Sequence, residues 1–161
     1  MQVELRLPAE GVPGEPARPV VVDTNVALDL LIFSDPRTAP LRTLLAQGRL
    51  HWIATQVMRD ELERVLAYPH IVSRMDFYRV DAAQVLAAFD AQARLVDIAP
   101  RVAYMCKDAD DQKFIDLAAA HRAILLSKDK AVICMRKRLL TLDAHVATAL
   151  VLDESLAAAA A

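Results

Sequence analysis

The sequence predicts an α/β domain in which a central, mostly parallel sheet lies between layers of helices. Short apolar runs typical of buried strands alternate along the chain with stretches of helical periodicity. Strands that are separated by helices pair in parallel and carry helices on both faces of the sheet. The length of 161 residues suits one domain with a substantial core. Aromatic residues make up only 5% of the chain, and this favours helices packed on a sheet over an all-β sandwich.

Residues 1–18 contain three prolines and two glycines and sustain no periodicity. We interpret them as an N-terminal extension, with a short added strand at Val3–Leu7 outside the main fold. The main domain spans residues 19–150, and residues 151–161 form a C-terminal tail that ends in a frayed run of alanines. Neither end is expected to carry chemistry.

Within the main domain, the pattern predicts strands at Pro19–Val22, Leu50–Ala54, Leu95–Ile98, Ala123–Leu126 and, as an edge strand, His145–Thr148. It predicts helices at Thr24–Phe33, Ala39–Gln47, Thr55–Ala67 (ending before Pro69), Asp81–Arg94, Asp110–His121 and Lys130–Leu140. Ligands of parallel sheets bind beyond the C-terminal ends of the strands. Attention therefore falls on Asp23 and on Ser127–Asp129, each of which directly follows a strand.

Composition excludes several classes of protein. The net charge of −2 and the pI of about 6.1 are unlike those of a dedicated duplex-DNA binder, so any contact with nucleic acid must be local. No apolar run approaches the ~20 residues that span a bilayer, and no secretory signal is recognisable, so we expect a cytoplasmic protein. Cys106 and Cys134 lack CxxC spacing and are expected to be buried, reduced thiols. The four histidines show no zinc-ligand spacing.

Asp23 and Asp129 each follow an apolar strand. A carboxylate in that position lies at the C-terminal edge of the sheet, where a cation or substrate would bind. An aspartate at such a junction is also typical of a plain helix cap or turn. Both interpretations stay open for these two residues.

Glu61 lies within an apolar helical stripe instead of on a solvated face. At about 100° per residue, the stripe comprises Val57, Met58, Leu62, Val65 and Leu66. An inward-facing carboxylate is costly unless a cation or hydrogen-bond donors meet it. The alternative is a glutamate at the rim that pairs with an arginine.

The run Asp108-Ala109-Asp110-Asp111 opens another predicted helix. Acidic residues in a first turn cap free N–H groups and favour the helix dipole, which accounts for Asp108 as the N-cap. Asp111 lies one turn from Ile115, near the middle of the apolar face, and capping does not require an acid there. Asp110 points outward and is interpreted as a solvated charge.

Acids at strand ends and on inward helix faces are consistent with shared divalent cations. Mg²⁺ and Mn²⁺ prefer oxygen ligands, and a carboxylate cluster without cations repels itself. Such a site holds a phosphodiester, lowers the pKa of a bound water and neutralises the departing 3′ oxygen. No Ser–His–Asp or Cys–His arrangement competes, and three glycines provide no glycine-rich phosphate loop.

Four segments, taken in their order along the chain, resemble segments of the PIN-domain family, in particular of its branch of toxins from bacterial toxin–antitoxin systems. The resemblance covers about residues 19–148. The first three segments correspond to those with the family's first, second and third acids, and the last to a late strand and turn with a hydroxyl residue and an acid. They run from Val20 to Val26, from Glu61 to Leu66, from Asp108 to Phe114 and from Leu125 to Lys130.

This resemblance implies a three-layer α/β/α fold and Mg²⁺- or Mn²⁺-dependent endonucleolytic cleavage of single-stranded or structured RNA. By resemblance, the metal ligands would be Asp23, Glu61 and Asp111. The other roles would fall to Asp129 as a direct or water-mediated ligand, Asn25 as a support for the first acid, Asp108 as a further supporting acid and Ser127 as a contact to water or phosphate. A toxin of this kind would be blocked by a small antitoxin near the cleft, and homodimers are common among such proteins.

Two features depart from the family pattern. Ala131 stands where relatives often carry another aspartate, which weakens the assignment of Asp129. Residues 1–18 have no counterpart in the minimal pattern.

Basic side chains are concentrated late in the sequence. Arg136, Lys137 and Arg138 would hold RNA phosphates beside the cleft, although a solvated helix face is the alternative. Trp52, in a strand, is expected in the core and not as a platform for bases.

Three other functions were compared with a nuclease. A haloacid-dehalogenase-type phosphatase needs an acid two residues after the first, where this chain has Asn25. A receiver domain needs an early acid pair, where this chain has Val21-Val22. The third alternative is a catalytically inactive PIN-like module that binds RNA or protein, and measuring RNA cleavage distinguishes it from an enzyme.

Overall fold

The computed structural model describes residues 2–156, so the alanine run predicted to fray at 157–161 lies outside the described residues. The strands are β1 (Glu4–Pro8), β2 (Arg18–Val22), β3 (Leu50–Ala54), β4 (Ala93–Leu95), β5 (Ile124–Leu126), β6 (His145–Ala147) and β7 (Ala149–Asp153). The α-helices are α1 (Thr24–Leu28), α2 (Ala39–Ala46), α3 (Gln56–Leu66), α4 (Pro69–Tyr78), α5 (Ala82–Gln92), α6 (Gln112–His121), α7 (Lys130–Ile133) and α8 (Arg136–Leu140). A π-helical segment (Asp29–Phe33) continues α1, and 3₁₀ turns form at Pro36–Thr38 and Ala109–Asp111.

Five strands form one parallel sheet in the order β4-β3-β2-β5-β6, and helices flank it. This arrangement confirms the predicted three-layer α/β/α architecture. The central strand β2 has β3 on one side and β5 on the other, with Val20 opposite Trp52 and Val22 opposite Leu126. Strands β2 to β4 follow one another toward one edge of the sheet, and β5 and β6 follow one another toward the other edge, so the strand order reverses between β2 and β5. In doubly wound sheets, this point lies beside the ligand site.

The central strands are fully enclosed because their side chains face helices on both sides. Val20, Val21 and Leu125 have no exposed surface, and α6 packs against both β2 and β5. Trp52 is 1% exposed and packs edge-on against Phe89, with ring centroids 5.0 Å apart. The expectation that Trp52 belongs to the core is therefore confirmed.

Several helices begin where a side chain caps the first turn. Thr55 accepts the N–H of Met58 at the start of α3. Asp81 and Gln84 form a reciprocal capping box at the start of α5. These bonds satisfy N–H groups that the helix itself leaves without partners, and they fix where each helix starts.

The structure corrects four details of the sequence reading. Helix α3 ends before Pro69 as predicted, but the sequence did not predict α4, which has Pro69 in its first turn, where the missing N–H costs nothing. Strand β4 begins at Ala93, ahead of the Leu95–Ile98 that was predicted. The basic helix predicted at Lys130–Leu140 is two short helices. Val57 is 42% exposed, so the buried stripe of α3 is carried by its other members.

The N-terminal extension is attached to the domain by a second, two-stranded parallel sheet. Strand β1 pairs with β7, which continues the chain directly after β6. Thr148 links them: its hydroxyl bonds the N–H and the C=O of Val3, each at 2.9 Å. Arg49 adds bonds to the carbonyls of Pro8 and Ala9. Residues 151–153 of the predicted tail therefore belong to a strand, and β2 starts at Arg18, inside the predicted extension.

We expect Thr148→Val to lower the free energy of unfolding by about 1–2 kcal/mol, because Val3 loses two hydrogen bonds at a half-buried position. Urea denaturation measures this difference. Thr43→Val, on the exposed face of α2, is the matched control and should change stability little. Equal effects of the two substitutions would contradict a structural role for Thr148.

Candidate metal centre

Three carboxylates meet beyond the C-terminal end of β5. One oxygen each from Asp108, Asp111 and Asp129 lies within 4.8 Å of the other two. Asp108 caps the 3₁₀ turn that leads into α6, and Asp129 caps α7. A cap uses only part of a carboxylate's capacity to accept, so these residues retain lone pairs for a cation.

Asp111 lies at the centre of the electrostatics of this cluster. Its Oδ2 is buried and is the one buried side-chain oxygen or nitrogen without a hydrogen-bond partner among the described residues. Burial, followed by the close approach and the charge of the Asp129 carboxylate, raises the pKa of Asp111 to about 7. An acceptor buried without a donor is costly, and a bound cation would satisfy it. The donor set therefore fits a hard divalent ion such as Mg²⁺ or Mn²⁺.

Asp23 lies beside this cluster at the end of β2 and is only 4% exposed. Its Oδ1 accepts the N–H of Val26 at 3.1 Å, and its Oδ2 accepts the hydroxyl of Ser127. Burial raises its pKa against these two bonds, and the charge of Asp129 raises the pKa further. Asp23 is therefore both a helix cap and part of the acidic environment of Asp111.

Ser127 connects the ends of β2 and β5. It is completely buried, donates its hydroxyl to Asp23 and accepts the N–H of Asp129 at 3.1 Å. Asn25, by contrast, is exposed. In this structure the support that was expected from Asn25 comes from Ser127 and Val26.

Glu61 lies at the edge of the centre and outside the three-carboxylate group. Its oxygens are bound by the hydroxyl of Thr24 at 2.5 Å and by the ammonium of Lys113 at 3.1 Å. Its side chain is partly buried, as the helical pattern predicted, but the partners that compensate it are a hydroxyl and a lysine. A direct role of Glu61 as a metal ligand stays a prediction.

Sequence reasoning missed the residue that holds the Asp108 segment in place. Gln112 is 4% exposed; its Oε1 accepts the N–H of Cys106 at 2.6 Å, and its Nε2 donates to Tyr104 O and to Asp116 Oδ1. Asp116 in turn accepts the N–H of Val102. The available signal was a pair of polar residues one turn apart on the apolar face of α6.

Two lysines lie near the acidic centre, and they do not belong to the basic run that occurs late in the sequence. Lys113 contacts Glu61, and Lys128 pairs with Asp29 at 2.5 Å while its charge lowers the pKa of Asp23. The three predicted RNA contacts are exposed on α8: Arg136, Lys137 and Arg138. Within residues 2–156, none of their side chains forms a hydrogen bond or ion pair with the acidic cluster.

In the metal-free protein, we expect stability to fall as pH rises from about 4 to about 7. The folded protein holds a proton on Asp111 up to about pH 7, whereas the unfolded chain releases it near 3.8. Urea denaturation in EDTA at about pH 5.5 and about pH 8 measures this difference. Asp111→Asn should reduce the difference, and Asp110→Asn on the same turn should leave it intact. An equal pH dependence in all three proteins would refute the raised pKa.

Comparison with known proteins agrees with this geometry. The sequence pattern of the PIN domain matches residues 19–131, which include nearly all of the central strand β2, strand β5 and all of the acids discussed. No curated protein matches the chain in sequence. PIN domains are typically nucleases and generally use divalent metal ions. Because the match covers most of the chain, this protein belongs to the PIN-domain family.

Proposed function

We propose that this protein is a metal-dependent endoribonuclease that cleaves RNA phosphodiester bonds with Mg²⁺ or Mn²⁺. The observation that carries the proposal is the approach of the Asp108, Asp111 and Asp129 carboxylates to one another, together with the buried, unpartnered oxygen of Asp111. Membership in a family of nucleases supports the same chemistry.

In this proposal, the cation is held by Asp111, Asp129 and Asp108. A divalent cation in such a site supplies a Lewis acid that stabilises charge on the scissile phosphate. Asp108 then has a larger role than the supporting one that the sequence predicted. Asp23 binds the cation or its hydration shell, and its hydrogen bonds to Val26 and Ser127 hold the carboxylate in one orientation.

Glu61 and Lys113 form the side of the proposed cleft. As long as the ammonium of Lys113 is paired with Glu61, this carboxylate is not available to bind the cation. An RNA phosphate would compete for that ammonium and release Glu61 toward the cation. Glu61 therefore stays in the proposed ligand set, conditional on substrate.

RNA is the proposed substrate although the chain is slightly acidic. The net charge of −2 leaves the exposed cations of α8 and the lysines beside the acids as local phosphate contacts. A single strand fits this scheme because a short positive surface can follow one flexible backbone.

A role as the toxin of a toxin–antitoxin pair, a cognate antitoxin and a homodimer are part of the proposal only through the resemblance to that branch of the family. Within residues 2–156, no helix has the length and apolar character needed to cross a bilayer. Cytoplasmic residence stays an expectation.

We expect Asp111→Asn to lower Mn²⁺-dependent cleavage of a labelled RNA by at least about 100-fold, because an amide replaces the charged ligand at the centre of the cluster. Asp110→Asn is the matched control, since it removes an exposed charge from the same turn. Cleavage should need the divalent ion and stop in EDTA.

Equal cleavage by the parent and Asp111→Asn would contradict the proposed centre and point to a contaminating nuclease. RNA binding without cleavage, across several RNAs and both cations, would instead identify a non-catalytic binding module.

Neutralising Arg136, Lys137 and Arg138 to glutamine should weaken binding of single-stranded RNA. It should also reduce the slope of log affinity against log salt by up to about 2, because RNA binding releases fewer counterions when fewer phosphates are contacted. Filter binding across a salt series measures the slope, with Arg64→Gln on the exposed face of α3 as the control. An unchanged slope would assign α8 to an ordinary solvated face.

A further inference from the structure

Two cysteines that are distant in sequence approach the same backbone oxygen. The thiol of Cys106 donates to the carbonyl of Ala131 at 3.4 Å, and the thiol of Cys134 donates to that carbonyl at 3.2 Å. Two sulfurs that share an acceptor lie no farther apart than these distances combined. A disulfide needs the sulfurs to come within about 2.05 Å, so the two segments would move toward each other as the bond forms.

The surroundings of the two thiols differ. Cys134 is exposed, contrary to the expectation that both cysteines are buried, and it lines a surface cavity together with Ile133 and three cations: Lys130, Arg136 and Lys137. Cys106 is buried, at 8% exposure. An oxidant from solvent therefore meets Cys134 first.

The two cysteines belong to the two chain segments that carry Asp108 and Asp129. Cys106 precedes Asp108 by two residues, and its N–H is held by Gln112. Cys134 directly follows α7, which Asp129 caps. A covalent bond between the cysteines would therefore join the segment that carries Asp108 to the helix that starts at Asp129.

We propose that Cys106 and Cys134 form an oxidisable dithiol pair that hydroperoxides close into a disulfide, which displaces Asp108 relative to Asp129. The effect on cleavage rests on the proposed function, whereas formation of the bond does not.

The reaction balances with hydrogen peroxide as the two-electron oxidant. The sulfur of Cys134 attacks one peroxide oxygen, the O–O bond breaks, and Cys134 becomes a sulfenic acid as the first water leaves. The sulfur of Cys106 then attacks the sulfur of Cys134, the S–O bond breaks, and the second water leaves with the thiol proton. Two thiols and one peroxide give one disulfide and two waters.

The test treats the full reduced chain with hydrogen peroxide and measures its mass and its cross-linked peptides. We expect the loss of two hydrogen atoms, one peptide pair joined through Cys106 and Cys134, and full reversal by dithiothreitol. Cys134→Ser should remain uncross-linked, and Cys106→Ser should accumulate oxygen on Cys134. Because the two variants are scored separately, misfolding of Cys106→Ser leaves the parent and Cys134→Ser results decisive. Oxygen addition without cross-linking in the parent, or no mass change, would overturn the proposal.

A second readout measures Mn²⁺ affinity by calorimetry in the reduced and oxidised parent. We expect oxidation to weaken binding by at least about 10-fold, as shifts of ligand-supporting groups do, and to leave Cys134→Ser unaffected. Equal affinity in both forms, including no binding in either, overturns the link to the metal centre. Mn²⁺ binding without any RNA cleavage in the reduced form would refute the proposed nuclease while the disulfide result stands.

Discussion

Parallel pairing of β2 with β5 places Asp23 and Asp129 at one edge of the sheet, and the buried hydroxyl of Ser127 joins them. Every other part of the centre is arranged around this junction. Strands that pair in parallel bring their C-terminal ends together, so acids that follow different strands must share a small volume. In that volume, burial raises the pKa of Asp23 and of Asp111 and makes the negative charges costly.

The acidic centre is therefore a site at which stability and function oppose each other. Asp111 has a buried oxygen without a partner, and its neighbour Asp129 raises its pKa further. A chain selected for stability alone would place an apolar residue or a donor there. In the proposed function, a bound divalent cation would relieve this cost and would serve phosphodiester cleavage. The same physical property underlies the pH dependence expected of the metal-free protein and the proposed use of the cluster.

The segment before α6 is held in place by a buried hydrogen-bond network around Gln112. The side chain of Gln112 accepts a hydrogen bond from Cys106 and donates to Tyr104 and Asp116, and it thereby holds an irregular stretch of chain against the helix. The position of Asp108 thus depends on buried amide contacts and not on regular structure. A segment held in this way responds to changes at its anchors, and the backbone N–H of Cys106 is one such anchor.

The sequence by itself determined the parallel α/β architecture and most element boundaries, and it singled out Asp23, Asp111 and Asp129 as candidates, because periodicity and strand-end position are local properties. It also indicated that Glu61 is partly buried, but only the tertiary structure showed that Lys113 neutralises its charge and that Thr24 donates a hydrogen bond to it. Likewise, Asp108 joins the carboxylate group, Ser127 replaces Asn25 as the support of Asp23, and β1 pairs with β7. These outcomes depend on distances between residues far apart in the chain, which composition and spacing do not encode.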